Sequence, residues 1–226
     1  MKPIISVIIP VFNGEHYLAE AIESVLSQKG FSLDIIVVDD GSTDRTSQIV
    51  QEYIPSLRYF FQDNAGSGAA RNKGIKEARG DFFSFLDADD IWLSNKLDIQ
   101  IQAFLADAEL EAVFGHVKQF FSPELDEEFK SRFFCAPEAL PGCLPATMLI
   151  KRDAFFRVGL FDENWRVGEE VAWILRAREL HMKTIMLTDL TYMRRLHKNN
   201  KGIVSRPFIN DRVKIIKAHL DAKRKK

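Results

Sequence analysis

The first ninety residues read as short apolar runs separated by amphipathic stretches, and each run stops at polar residues. Ile4 to Ile9 is almost wholly apolar and closes at Pro10, the pattern of a strand covered on both faces. Leu18, Ala21, Ile22, Val25 and Leu26 then recur at helical spacing, and Gly30 ends that element. Ile35-Ile36-Val37-Val38 predicts a second buried strand, and Ile49, Val50 and Tyr53 mark the next helix. Leu57 to Phe61 reads as a third strand, Ala69 to Ala78 as a third helix and Phe82 to Leu86 as a fourth strand. This β-α-β-α-β rhythm predicts a mainly parallel central sheet of Rossmann-like α/β type, with right-handed crossovers and helices on both faces.

Past residue 90 the pattern loosens. Ser94 is placed to cap a helix carrying Leu97, Ile101, Phe104 and Leu105. Glu111 to Phe121 is strand-like, Ser122 to Pro141 reads as a charged loop with aromatics, and Leu144 to Ile150 predicts another strand. Gly168 to His181 predicts a helix with Val171, Ile174 and Leu175 on one side. No internal repeat or low-complexity linker divides the chain. The expected organisation is one unit over 1–226: a ligand-binding half at 1–95, a second wall at 96–205, and a C-terminal helix with a basic tail at 206–226.

Composition narrows the class. The chain has 226 residues, 46% of them hydrophobic, enough for one substantial core. A formal net charge of -1 argues against a nucleic-acid surface built on bulk electrostatics, so no nucleic-acid partner is expected. Cys135 and Cys143 are the only cysteines and form no Cys-x-x-Cys pair, which reads as two small side chains in a reducing compartment. The first residues lack the apolar length of a signal peptide, and no apolar run nears the ~20 residues of a membrane span. The expected location is cytoplasmic. Lys223-Arg224-Lys225-Lys226 ends the chain in a basic run, a solvated terminus or a weak contact for the anionic inner membrane face.

In parallel sheets, ligands sit beyond the carboxyl ends of the strands. Asn13-Gly14, Asp39-Asp40-Gly41-Ser42 and Asp87-Ala88-Asp89-Asp90 each lie directly after an expected strand, which implies one shared cleft. In extended backbone, Asp87 and Asp89 would point the same way, and two convergent carboxylates suit Mg²⁺ or Mn²⁺. A solvated acidic turn is the plain alternative. At Asp39-Asp40-Gly41-Ser42, a carboxylate can accept from a nucleobase or ribose, while an Asx turn with Ser42 or Asp44 as helix cap is equally compatible. Gly66-Ser67-Gly68 opens a helix like a phosphate-binding turn, but without the lysine-serine pair of a P-loop or a third glycine. Arg71, one turn in, is better placed to steer a nucleotide or to position Asp87.

Taken in order, Ser6-Val7-Ile8-Ile9-Pro10-Val11-Phe12-Asn13, Val37-Val38-Asp39-Asp40-Gly41-Ser42-Thr43-Asp44, Ala70-Arg71-Asn72-Lys73-Gly74 and Phe85-Leu86-Asp87-Ala88-Asp89-Asp90 resemble the family 2 glycosyltransferases of the GT-A fold. Each fragment is modest and the ordered set is specific. The match is strong over roughly residues 4 to 95 and looser to about residue 200.

The resemblance implies a nucleotide-sugar donor, typically a UDP-sugar, with a divalent cation (Mn²⁺ or Mg²⁺) on its diphosphate. It implies that Pro10, Phe12 and Asp40 line the base pocket with Asn13 and Arg71 nearby, that Asp87 faces the donor, and that Asp89 binds the metal. It also implies an inverting displacement, with a carboxylate taking the acceptor proton. Gly168-Glu169-Glu170 and Trp173 are similar to the family's acidic segment, where Glu170 stands at the place of the catalytic Asp. The alternative is that both glutamates only favour the helix N-terminus. Arg194-Arg195-Leu196-His197 resembles the late Arg-x-His stretch, which implies that His197 completes the metal site or contacts the diphosphate with Arg194 and Arg195; a structural or exposed histidine is the plain alternative. Trp92 follows the acidic stretch and is a candidate to stack on a sugar, although most aromatics are core. Phe133 and Phe134 are weaker candidates in the loop.

The acceptor class is a glycan, a lipid-linked precursor or a small molecule, and neither the sugar nor the oligomeric state is legible. Two other readings stand beside a transferase. A sugar nucleotidyltransferase is disfavoured because Pro10-Val11-Phe12-Asn13 replaces its glycine- and arginine-rich loop. A non-catalytic nucleotide-sugar or carbohydrate binder would explain the Glu170 replacement.

Overall fold

The computed structural model describes residues 3–165, 167–200 and 210–224. Strands β1 (Ile4–Val11), β2 (Ser32–Asp39), β3 (Arg58–Phe61) and β4 (Phe82–Phe85) alternate with helices α1 (Leu18–Leu26), α2 (Thr46–Gln51) and α3 (Ser67–Glu77). The strands pair in parallel, in the order β3-β2-β1-β4. There follow β5 (Ile91–Trp92), α4 (Lys96–Ala106), β6 (Ala112–Phe121), α5 (Glu127–Ser131), β7 (Leu140–Gly142), a 3-10 turn (Pro145–Thr147), β8 (Leu149–Lys151), α6 (Arg152–Val158), α7 (Glu169–Glu179), β9 (Thr184–Leu196) and α8 (Asn210–Arg224). Among the described residues, nine strands join in one sheet whose path continues from β4 through β8, β6 and β9 to β5. The second half is mixed: β8 runs antiparallel to β4 and β6, whereas β9 runs parallel to β6.

The sheet is buried on both faces, and the period of two shows how. Ile5, Val7, Ile9 and Val11 pack with Ile22, Val25 and Leu97 on one side, while Ile8, Ile36 and Val38 pack with Ala70, Ile75, Phe155 and Trp173 on the other. A Cβ on Gly74 would stand 2.5 Å from Ile8 Cγ2, so glycine there lets α3 lie directly on β1.

Strand β1 does not stop at Pro10 but runs through it, with Pro10 opposite Val38. The missing N–H does no harm. Ile8 and Pro10 turn their backbone toward β4, and that pairing ends at Ile8 opposite Phe85. Ser94 makes no cap, since α4 begins after Asn95. The region 144–150 is split between the 3-10 turn and β8 instead of forming one strand. The charged loop from Ser122 holds α5, whose cap Asp126 accepts from Phe129 N at 2.6 Å, and β7. Strand β9, the longest, had no sequence signal, because register shifts against β6 between Phe114 and Val117 break the alternation by which a strand is read.

Candidate active site

Three strand ends meet at one edge of the sheet. After β1, Asn13 takes a left-handed conformation (φ 52), and its amide donates to Ser42 Oγ at 2.8 Å. Its own Oδ1 accepts from Thr43 N at 2.9 Å. Asn13 thus stitches the end of β1 to the turn after β2. Phe12 beside it is 53% exposed, a large apolar face turned to solvent, while Pro10 lies buried within β1.

The two aspartates after β2 divide their work. Asp39 accepts from Ser42 N and Tyr59 OH, both at 2.8 Å, which closes the Asx turn. Asp40 accepts from Gln62 Nε2 at 2.7 Å, Ala65 N at 2.9 Å and Gly66 N at 2.8 Å. The amides of the glycine-containing loop before α3 are therefore bound by an internal carboxylate. This differs from the phosphate-binding turn that Gly66-Ser67-Gly68 resembles: the anion is supplied by Asp40. Asp40 is buried, and its carboxylate holds that loop in place.

The acidic stretch after β4 is a turn, closed by Asp90 N donating to Asp87 O at 3.1 Å. Asp87 and Asp89 belong to this turn instead of one extended run, and their carboxylates take different partners, where the expectation had both converge on one point. Asp87 Oδ1 accepts from Arg71 Nη2 at 2.7 Å. Asp89 Oδ2 faces His197 Nε2 at 2.8 Å and accepts from Asn200 Nδ2 at 3.0 Å. His197 Nδ1 accepts the Asn199 amide at 3.3 Å, which leaves Nε2 as the ring nitrogen facing Asp89. Asp90 is buried beneath. Burial first, then the charges of Asp89 and Asp87, push its carboxyl well above the usual range, against the hydrogen bonds from Tyr192 OH and Arg195 N.

Arg71 is the hub. Its Nη2 reaches Asp87 and its Nη1 reaches Glu169 Oε1 at 2.9 Å, at the first turn of α7. Burial alone would lower the guanidinium, but Asp87 and Glu169 outweigh it and raise its pKa. Ser67 Oγ also donates to Glu169. Asn72, next to Arg71, clamps the segment before α7 by accepting from Phe161 N and donating to Phe161 O, both at 2.9 Å, and by donating to Glu163 Oε1 at 2.7 Å. Glu170 projects on the other side of the turn and accepts from Arg212 Nη2 of α8 at 2.8 Å.

Two expected site residues lie elsewhere. Trp92 does not line the cleft: it is 2% exposed, sits in the core with Leu97 and Leu149, and donates from Nε1 to Ala146 O at 3.2 Å. Its place in β5, paired to Tyr192 of β9, turns the indole inward. Arg195 is likewise no free contact for a diphosphate. Its Nε donates to Asp89 O at 3.0 Å, it pairs with Glu20, and its guanidinium lies between the Tyr17 and Phe120 rings. It braces the turn from behind. Sequence reasoning missed Tyr17, whose ring packs 4.7 Å from His197, and no local signal marks it. It gave Glu169 no role of its own, although the acidic pair contains it.

The model of glycosyl transferase family 2 matches residues 6–165, and the chain belongs to that family. The chain is 35% identical over 183 residues to an uncharacterized glycosyltransferase of Rickettsia typhi, covering 72% of this chain and 55% of that relative. It is 30% identical over 221 residues to the uncharacterized glycosyltransferase EpsJ of Bacillus subtilis, covering 88% of this chain and 63% of that one. The chain thus spans about half the length of the first of these relatives. Among solved structures, S. aureus TarS is 26% identical with a TM-score of 0.69, over 92% of this chain and 39% of that one. TarS 1-349 in complex with UDP-GlcNAc gives a TM-score of 0.75 at 22% identity, over 97% and 65%. A mannosyltransferase of Pyrobaculum calidifontis, in complex with GDP-Man and Mn²⁺, gives 0.65 at 21%, over 88% and 59%. The fold is GT-A.

Proposed function

We propose that this chain transfers a sugar from a nucleotide-sugar, most simply a UDP-sugar, to a hydroxyl of a glycan, lipid-linked or small-molecule acceptor, with inversion at the anomeric carbon. The observation that carries this reading is Arg71, one guanidinium joining Asp87 at the end of β4 to Glu169 beside Glu170. It ties the donor side of the cleft to the side that would hold a base. The solved relatives with UDP-GlcNAc and GDP-Man bound support a nucleotide-sugar in a cleft of this fold.

In this reading Phe12 offers the base its exposed face, with Pro10, Asn13 and the loop held by Asp40 forming the pocket wall. Asp87, partly open and oriented by Arg71, faces the ribose and sugar. The acceptor oxygen bonds to the anomeric carbon as the bond to the diphosphate oxygen breaks, and the acceptor proton passes to the Glu170 carboxylate. The nucleoside diphosphate departs with the bonding electron pair.

The residues fit a divalent cation. Asp89 Oδ2 and His197 Nε2 lie 2.8 Å apart, an oxygen and a nitrogen of the kinds that Mn²⁺ accepts. Among the described residues no group of three His, Cys, Asp or Glu side chains could hold an ion alone, so diphosphate oxygens would complete the shell. Asp89 and His197 would hold such an ion, and its charge would neutralise the departing diphosphate.

No described helix is long and apolar enough to cross a membrane, and Cys135 and Cys143 are free. A cytoplasmic location, peripheral to the inner membrane face, accords with both. A second reading, a non-catalytic nucleotide-sugar binder, rests on the Arg212–Glu170 ion pair, which occupies the carboxylate assigned as base.

Calorimetry with UDP-, GDP- and TDP-sugars, with and without Mn²⁺, followed by turnover assays on wild type and Asp89→Ala, tests the proposal. Donor binding that needs Mn²⁺ and Asp89, with transfer or slow hydrolysis, is the expected result. Donor binding without turnover for any acceptor would establish the binder, and no binding at all would remove both readings.

A further inference from the structure

We infer that helix α8 docks this protein on an anionic lipid surface, with one face held against α7 and the opposite face turned to the bilayer. The inner face is fixed. Ile215 is buried against Gly168, where a Cβ would stand 2.9 Å from Ile215 Cδ1, and Arg212 holds Glu170. His219 Nδ1 lies 3.5 Å from Glu179 Oε1 at the other end of α7.

The outer face is the unusual one. Val213, Ile216 and Leu220 are 64%, 45% and 50% exposed, and they follow the i, i+3, i+7 spacing of a single helical stripe. The helical rotation of 100° per residue puts Lys217 within about 40° of Val213, at the margin of this stripe. An apolar stripe with a basic margin is the layout of a helix lying in a membrane interface.

Charge points to the same occupant. Residues 210–226 carry seven of the 31 Lys and Arg but only two of the 32 Asp and Glu, a segment of +5 in a chain of -1. The remainder of the chain is therefore acidic, and an anionic surface attracts this helix while repelling the rest. Basic residues near such a surface each strengthen binding about fivefold, and three half-exposed aliphatic side chains supply the apolar part. A solvated helix end needs no apolar stripe, and a nucleic acid would not use one. On the reading of Glu170 as base, which this inference does not require, α8 would set that carboxylate about one helix diameter, ~10 Å, from the bilayer.

Flotation of the full chain with phosphatidylcholine vesicles, with and without about 30% phosphatidylglycerol, is the test. We expect at least ~10-fold stronger partition onto the anionic vesicles, weakened by raising salt from ~0.1 to ~0.5 M. The variant Val213→Asp/Ile216→Asp/Leu220→Asp should lose ~10-fold or more of that partition. These side chains are exposed, so its thermal melt and its donor binding should match wild type, which separates a failed docking face from a failed donor site. Equal partition onto neutral vesicles, no partition at all, or full partition by the triple variant would each overturn the inference. So would a dimer in solution that the triple variant converts to monomer, which would assign the face to a second copy.

Discussion

Arg71 Nη1 stands 2.9 Å from Glu169 Oε1 across 98 residues of sequence, and both side chains are nearly closed to solvent. Removing one partner of a buried pair leaves the other charged in a low-dielectric site, which typically costs ~3–5 kcal/mol. Arg71→Met should lose stability on that scale in urea denaturation and should bind donor more weakly, because Asp87 loses its guide. Arg71→Lys should restore only part of either, since an ammonium cannot span both carboxylates as a planar fork does. Wild-type stability in Arg71→Met would show that the pair is energetically idle.

Glu170→Gln separates binding from chemistry. The amide keeps the shape and a hydrogen bond to Arg212 but cannot take a proton. Donor affinity should stay at the wild-type value while kcat falls by roughly 10² to 10⁴. A variant transferring at full rate would leave Glu170 as an anchor for α8 alone.

Asp89→Asn and His197→Ala should act on the cation and not on the fold. Apparent Mn²⁺ affinity, measured through Mn²⁺-dependent donor binding, should drop ~10-fold or more in each. Metal dependence that survives both substitutions would place the ion elsewhere.

Trp92 tests the correction from cleft to core. Trp92→Ala should destabilise by ~3–5 kcal/mol, the usual cost of emptying a large aromatic site, whereas Trp92→Phe should leave donor affinity unchanged. A selective loss of donor binding in the Phe variant would return the indole to the cleft.

Lys96 gives a pH signature. It is fully buried, its Nζ donates to Ser84 Oγ at 3.0 Å and Gln100 Oε1 at 2.7 Å, and it lies 4.3 Å from the Trp92 ring centroid. Burial holds the ammonium well below its ordinary pKa of 10.5. Between the folded and unfolded pKa values the unfolded chain binds more protons, so stability rises with pH through that window. The stability difference between wild type and Lys96→Met should therefore shift in favour of wild type as pH climbs from ~7 toward ~10. A pH-independent difference would mean that Lys96 stays charged in the core.

Read by itself, the sequence covered the N-terminal half almost element by element. There, burial on both faces makes each strand a continuous apolar run, and each parallel strand must end in polar residues where ligands can sit. Asp89 Oδ2 and His197 Nε2 lie 2.8 Å apart although 108 residues separate them, a contact that no local spacing specifies. Other matters were settled only by tertiary structure, because each depends on contacts between distant segments. Trp92 went to the core because β5 pairs with β9, and β9 was hidden by the register shifts that break its alternation. Asp87 and Asp89 parted because the turn after β4 lets Arg71 take one and His197 the other. The partner of Glu170 came from α8, and no local spacing could specify a contact that packing between two helices creates.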